Sequence, residues 1–276
     1  MAGLQTWWLE FQQTFYRCFI EDERWRYLVR GLGNTLLITM FALIIGVVIG
    51  IVVAIIRSTH DKLIDETRPG LGRVLLKLAN LVCQVYLTVI RGTPVVVQLL
   101  LGVFVIFLYL GDVTVACIVF GVNSGAYVAE IFRSGIMSID NGQFEAGRSL
   151  GFNYVRTMQY IVIPQAFKNV LPALANEFIV LIKETSVAGY AGVIDLTKGG
   201  EIIRGRTFEA FMPLLAVAAI YLVLVVFFTW LVSKLEKKLR NEGGRTVKAK
   251  THVTVIPGAP GMTGRVQEIE EDKDND

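Results

Sequence analysis

The 276-residue chain is 53% hydrophobic and only 18% charged, with a formal net charge of +3 and a mean hydropathy of +0.53. Charged residues make up about a quarter of an ordinary soluble domain, so this composition excludes that class and requires a bilayer. Several stretches reach the roughly 20 apolar residues that cross about 30 Å of hydrocarbon, and runs such as 36–56 lack the period-two alternation of barrel strands. The fold class expected is therefore an all-α integral membrane protein.

Residues 1–30 are amphipathic, with Trp7, Trp8, Phe11, Phe15, Phe19, Trp25 and Tyr27 among mixed charges. This pattern predicts an interfacial helix rather than a span. No basic region leads into an apolar core at the start, so the first span is expected to serve as its own insertion signal. That span is predicted at 33–57, capped by Asn34 or Thr35. Within it Ala42, Gly46, Gly50 and Ala54 form a small-residue stripe for close helix approach.

Arg57, Lys62, Arg68, Arg73 and Lys77 make a basic loop expected on the cytoplasmic side. A second span covers 75–110, kinked at Pro94, with Arg91 snorkelling near the inner headgroups. The third, 114–136, carries another small stripe at Cys117, Gly121, Gly125 and Ala129. A polar interruption with Arg133, Arg148, Arg156 and Lys168 precedes a fourth span at 161–185; a Gly-rich loop runs to about 208. The fifth, 209–233, ends at Lys234, Lys237, Lys238 and Arg240. Three basic segments on one side of five spans put the N-terminus outside and the C-terminus inside. Residues 241–276 read as a disordered cytoplasmic tail. Cys18, Cys83 and Cys117 have no paired or metal spacing, and His60 and His252 are read as solvated residues of a loop and the tail.

The interruption itself, Glu145 to Pro164, reads EAGRSLGFNYVRTMQYIVIP. Asp140 or Asn141 caps a short helix there, Gly151 ends it with a positive φ, and Pro164 opens the next helix. Such an element suits docking to a soluble partner. Its spacing resembles the EAA loop of the membrane subunits of ATP-binding-cassette importers, departing only at Gly147, where that family usually has Ala. NSGAYVAEIFRSGIMSIDNGQFEAG (123–147), RGTPVVVQLL (91–100), NEFIVLIKETSV (176–187) and GNTLLIT (33–39) are similar to the branch for polar amino acids, the histidine, glutamine and arginine type. The resemblance covers about 30–240, giving a transmembrane domain at 31–240 between the N-terminal segment and the tail.

The resemblance implies a permease subunit of a type I importer in a bacterial cytoplasmic (inner) membrane. Glu145, Ala146, Gly147, Gly151 and Pro164 would be the coupling surface against an ATPase. It further implies a second permease subunit, identical or not, two ATPase subunits, an external binding protein and an amino-acid substrate; no nucleic acid is involved. The chain lacks a G-x-x-x-x-G-K-[ST] phosphate loop, so it is not expected to be an enzyme or to bind a cofactor. ATP and Mg belong to the partner ATPase.

Within the spans, Glu177 is the sharpest candidate for the substrate path, because an intramembrane carboxylate is costly. Glu184 lies two turns further on the same face. Glu177 either attracts a cationic group of the substrate or forms a structural pair: with Lys or Arg of a neighbouring helix, or as a protonated, hydrogen-bonded carboxyl. Asn123, Ser124 and Tyr127 either line the same passage or bridge helices. Glu130 and Arg133 are read as structural. A secondary transporter or channel for a small polar solute is the competing function, opposed by five spans without a visible repeat. An intramembrane metalloenzyme would need a ligand set that two histidines outside the spans do not supply.

Overall fold

The structure is a computed structural model that describes residues 2–64 and 70–248, with side chains described for 7–64 and 70–238. The chain divides into Met1–Lys237, which carries the fold, and Lys238–Asp276, of which the backbone helix to Lys248 is described. Among the described residues the fold is helical: α1 (Ala2–Phe15), α2 (Trp25–Leu63), α3 (Leu71–Gly92), α4 (Val95–Leu101), α5 (Asp112–Met137), α6 (Asn141–Ser149), α7 (Tyr154–Thr157), α8 (Ile163–Glu184), α9 (Leu196–Thr207) and α10 (Phe211–Lys248). Four helices are long and apolar enough to cross a membrane, within Trp25–Leu63, Leu71–Gly92, Asp112–Met137 and Phe211–Lys238. The helix of the predicted fourth span, α8, is not among them.

The axis of the fold is the seam between α2 and α5, where the two predicted small-residue stripes meet. A Cβ on Gly50 would lie 2.5 Å from Val128, one on Gly121 2.7 Å from Ile45, and one on Gly46 3.0 Å from the Ser124 hydroxyl. The two backbones approach closely because side chains are missing where they cross. Around this seam Ile38, Ala42, Leu99, Ala116, Phe120 and Leu181 form one buried cluster. Val53, Cys83, Leu87, Ala126 and Ala129 bring in the second half of α3. Cys18, Cys83 and Cys117 are buried and unbridged.

Several expectations are corrected. Asn34 and Thr35 do not cap a helix: α2 begins at Trp25, and both side chains turn to the segment before α9. Asn34 donates to the Ile194 carbonyl (2.8 Å), and the Thr35 hydroxyl accepts from the Leu196 N–H (3.1 Å). His60 and Lys62 lie in α2, and Arg73 and Lys77 in α3, not in a loop; Arg68 and His252 lie outside the described residues. The predicted second span is two helices, not one kinked helix. Thr93 is extended (φ −119°, ψ 143°) ahead of Pro94, as the proline ring demands of its predecessor. The Gly-rich stretch after α8 holds the 12-residue helix α9. Its start is fixed by Asp195, whose carboxylate accepts from the Thr197 and Lys198 N–H groups at 2.9 and 3.0 Å. Two of its glycines serve contact rather than looseness: a Cβ on Gly199 would meet the Tyr27 carbonyl oxygen at 2.5 Å, and one on Gly200 would lie 2.5 Å from Val217. Part of the N-terminal segment is core, since Cys18 and Phe19 pack with Leu28, Leu196, Ile203 and Met212. Finally, α10 runs on to Lys248, past the predicted tail boundary at 241; residues 249–276 lie outside the described residues.

Candidate functional site

The polar interruption folds as a compact helical unit. The Asp140 carboxylate accepts from the Gly142 N–H at 2.6 Å and opens α6. At the other end the Phe152 N–H reaches the Gly147 carbonyl (3.0 Å) and the Gly151 N–H the Arg148 carbonyl (2.9 Å), with Gly151 at φ +75°. This crossed pair satisfies the last free carbonyls of the helix and requires the left-handed residue that glycine supplies. Asn153 then caps α7 by accepting from the Arg156 N–H at 2.9 Å. A wide turn, Met158–Val162, carries the chain into α8, with Pro164 in its first turn, where a missing N–H costs nothing.

Glu145 and Ala146 face outward and Gly147 faces inward. A Cβ on Gly147 would lie 2.5 Å from the Thr157 hydroxyl oxygen, so this glycine seats α6 on α7. In the same helical unit Leu150, Val155 and Tyr160 stand out at 70%, 67% and 64% exposure. Beneath, Phe144 stacks on Tyr154 (6.2 Å, 16°), and the Lys62 ammonium sits 3.7 Å from the Phe144 ring centre. Burial raises the Tyr154 phenol above its ordinary value and keeps it neutral. Lys62 also donates to Asn141 (3.4 Å), and Arg133 pairs with Asp61 at 2.9 Å. The end of α2 is thus tied both to α6 and to α5.

Inside the bundle, the Ser124 hydroxyl donates to Glu177 at 2.8 Å. Glu177 is buried, and among the described residues no cation pairs with it. Asn123 donates to Gln98 Oε1 (3.1 Å), and Gln98 Nε2 donates to the Ile90 carbonyl (2.8 Å). Ile90 is the residue whose carbonyl Pro94, lacking an N–H, leaves without its helical donor. Asn123 therefore bridges helices and steadies the α3–α4 break. Glu184 is half-buried at the end of α8.

An open cavity of about 600 Å³ lies elsewhere, between α2, α3 and α5. Arg57, Gln84, Thr88, Arg91, Tyr127 and Glu130 line it; of these only Tyr127 is a predicted path residue. Arg57 and Arg91 converge on the same oxygen of Glu130, at 3.3 and 3.7 Å, and the Arg91 guanidinium lies 5.5 Å from the Tyr127 ring centre. Arg91 thus pairs within the chain instead of reaching for headgroups alone. A second cavity of about 480 Å³, lined in part by Ser134, Ser138 and Asn169, shares Glu130 with the first. Arg57 and Glu130 are 73 positions apart in sequence, and the α2–α5 seam brings them together.

Residues 70–241 match the family described as the binding-protein-dependent transport system inner membrane component. The chain is similar to the glutamine transport system permease protein GlnP of Escherichia coli (strain K12), 37% identical over 168 residues, covering 59% of this chain and 77% of that one. The glutamine transport system permease protein GlnP of Shigella flexneri matches at the same 37% over 168 residues, again 59% and 77%. In structure, the chain resembles an amino acid ABC transporter solved with histidines: TM-score 0.68, 38% identity, 80% of this chain and 98% of the other. The inward-facing MetNI methionine ABC transporter, at 20% identity and TM-score 0.64, covers 77% of this chain and 95% of its own, and shares the fold.

Proposed function

Because the chain belongs to the family of binding-protein-dependent transport system inner membrane components, we propose that it is the permease subunit of an ATP-driven amino-acid importer, coupled to its ATPase through residues 140–164. The observation that carries the coupling is the outer surface of this helical unit: Glu145 and Ala146 of α6 and the large apolar Leu150, Val155 and Tyr160 are all exposed among the described residues. Exposed apolar side chains of this size fit a protein partner. Gly147, Gly151 and Pro164 shape that face from within and at its ends.

Nucleotide and Mg are assigned to the ATPase subunits, two per complex, docked at this loop. A second permease subunit, alike or different, completes the passage, and an external binding protein delivers the amino acid. The assigned location is a bacterial inner membrane. In the proposed topology α2, the α3–α4 pair, α5, α8 and α10 span it, with the N-terminus outside. Although α8 is less apolar than the four long helices, its Glu177 is buried and held by Ser124, and Asn169, exposed, reaches Ser138 (3.4 Å). Glu177 and Ser124 form a buried layer behind the passage, while Tyr127 and Glu184 face it.

The test is purification of the assembled complex with Glu145→Lys. A lysine at this outward position reverses its charge, so the ATPase should be lost from the complex and uptake should fall by at least about tenfold, the loss of a charged contact, with the permease still in the membrane. Full ATPase recovery together with normal uptake would remove the coupling assignment.

A further inference from the structure

The cavity between α2, α3 and α5 holds two guanidinium groups and one carboxylate. Both guanidiniums address a single oxygen, Glu130 Oε1, and the Arg91 contact, at 3.7 Å, is an ion pair longer than a hydrogen bond. A guanidinium offers five N–H donors in a planar fork matched to two-oxygen anions. Among the described residues most of those donors are uncommitted, and the Nε of Arg57 is buried without a partner. The cavity therefore has one positive charge in excess, a surplus of donors directed at a two-oxygen anion, and one oxygen of Glu130 left to accept a cation. Gln84 and Thr88 add neutral polar groups to the wall, and the volume of about 600 Å³ is ample for a small solute.

We propose that this cavity is a binding station for the α-carboxylate and α-ammonium of the transported amino acid, with Arg57 and Arg91 holding the carboxylate and Glu130 the ammonium. It rests on the reading of the chain as an amino-acid permease. The station reads the groups common to all α-amino acids, so it selects the substrate class and leaves side-chain choice to other contacts. Glu130 also lines the second cavity, so an ammonium bound there stands at the junction of the two.

The experiment uses the assembled transporter in nanodiscs of phosphatidylcholine, without its binding protein. Binding of L-glutamine, L-histidine and L-arginine is measured by equilibrium dialysis, each against its decarboxylated counterpart: 4-aminobutanamide, histamine and agmatine. The wild type should bind at least one amino acid and prefer it over its decarboxylated form. Arg91→Gln and Arg57→Gln should weaken that binding roughly ten- to a hundredfold, as expected for losing charge-assisted hydrogen bonds, and abolish the preference. Arg91→Lys should restore part of the affinity, and Glu130→Gln should weaken the amino acid but not glutarate, which has carboxylates and no ammonium. Subunit stoichiometry of each variant shows that the complex is intact; an assembled variant with unchanged binding overturns the station. So does loss of wild-type binding in millimolar inorganic phosphate or in phosphatidylglycerol nanodiscs, which identifies a headgroup anion site instead. Binding-protein-driven uptake is measured in parallel: a wild type that imports no amino acid defeats the permease reading, whereas import with unaffected arginine variants defeats the station alone.

Discussion

At Gly147 the one departure from the resembled motif has a local cause. The position is buried against Thr157, and any Cβ would press on its hydroxyl oxygen and methyl carbon at 2.5 and 2.7 Å. Gly147→Ala should therefore loosen α6 from α7, at a cost of about 1–3 kcal/mol for overpacking, despite the better helix propensity of Ala. Thr157→Ala removes both contacting atoms, so the double variant Gly147→Ala/Thr157→Ala should recover most of the nucleotide-stimulated uptake that the single variant loses. Equal uptake by the single variant and the wild type would show that the contact is not limiting. The sequence narrowed the cap to Asp140 or Asn141 and identified Gly151 as a left-handed turn and Pro164 as a first-turn proline, because each acts on neighbours within a few residues. The inward facing of Gly147 and the bond between Gln98 and the carbonyl of Ile90 were not legible, since both depend on which faces later meet.

The helices show the same division. Small residues every fourth position on α2 and α5 were readable as contact stripes, and the stripes do face each other. The 185–208 stretch misleads for the same reason in reverse: its glycines look like loop signals, while Asp195 and the buried Leu196, Ile203 and Thr207 mark a packed helix. Gly199 and Gly205 separate the two roles on one element. A Cβ on Gly199 would strike the backbone of Tyr27, which has no rotamer to yield, whereas nothing lies within 4 Å of one on Gly205. In detergent, Gly199→Ala should lower the unfolding temperature, and Gly205→Ala should leave it unchanged or raise it slightly, since Ala gains up to about 1 kcal/mol in a helix interior. A Gly199→Ala protein as stable as wild type would mean that α9 does not hold α2 through this contact.

For the molecule as a whole, orientation is the quantity to measure. The three native cysteines are buried, which gives a quiet background for a membrane-impermeant maleimide. Leu150→Cys, exposed at 70% in the wild-type side chain, should be protected in intact cells and labelled after permeabilisation; Tyr190→Cys, at 74%, should be labelled from outside. Labelling of position 150 in intact cells would reverse the topology. Hydropathy and basic residues made the membrane class and most helices legible. The arginine cavity was not, because Arg57 reads singly as part of a basic loop, Arg91 as a snorkelling residue and Glu130 as structural, and they acquire a joint meaning only when α2, α3 and α5 converge.

The close seam between α2 and α5 also has a consequence for biogenesis. Gly50 and its contact Val128 are 78 residues apart in the chain (128 − 50). At about 5–20 residues per second of synthesis, α2 waits roughly 4–16 s before the partner of its small-residue face leaves the ribosome. During that interval the face must be covered by lipid or held by the insertion machinery. Quality control therefore has a window in which nascent chains truncated between α2 and α5 differ from the finished subunit by one uncovered stripe, and such truncations should be the short-lived species in a pulse-chase of the growing chain.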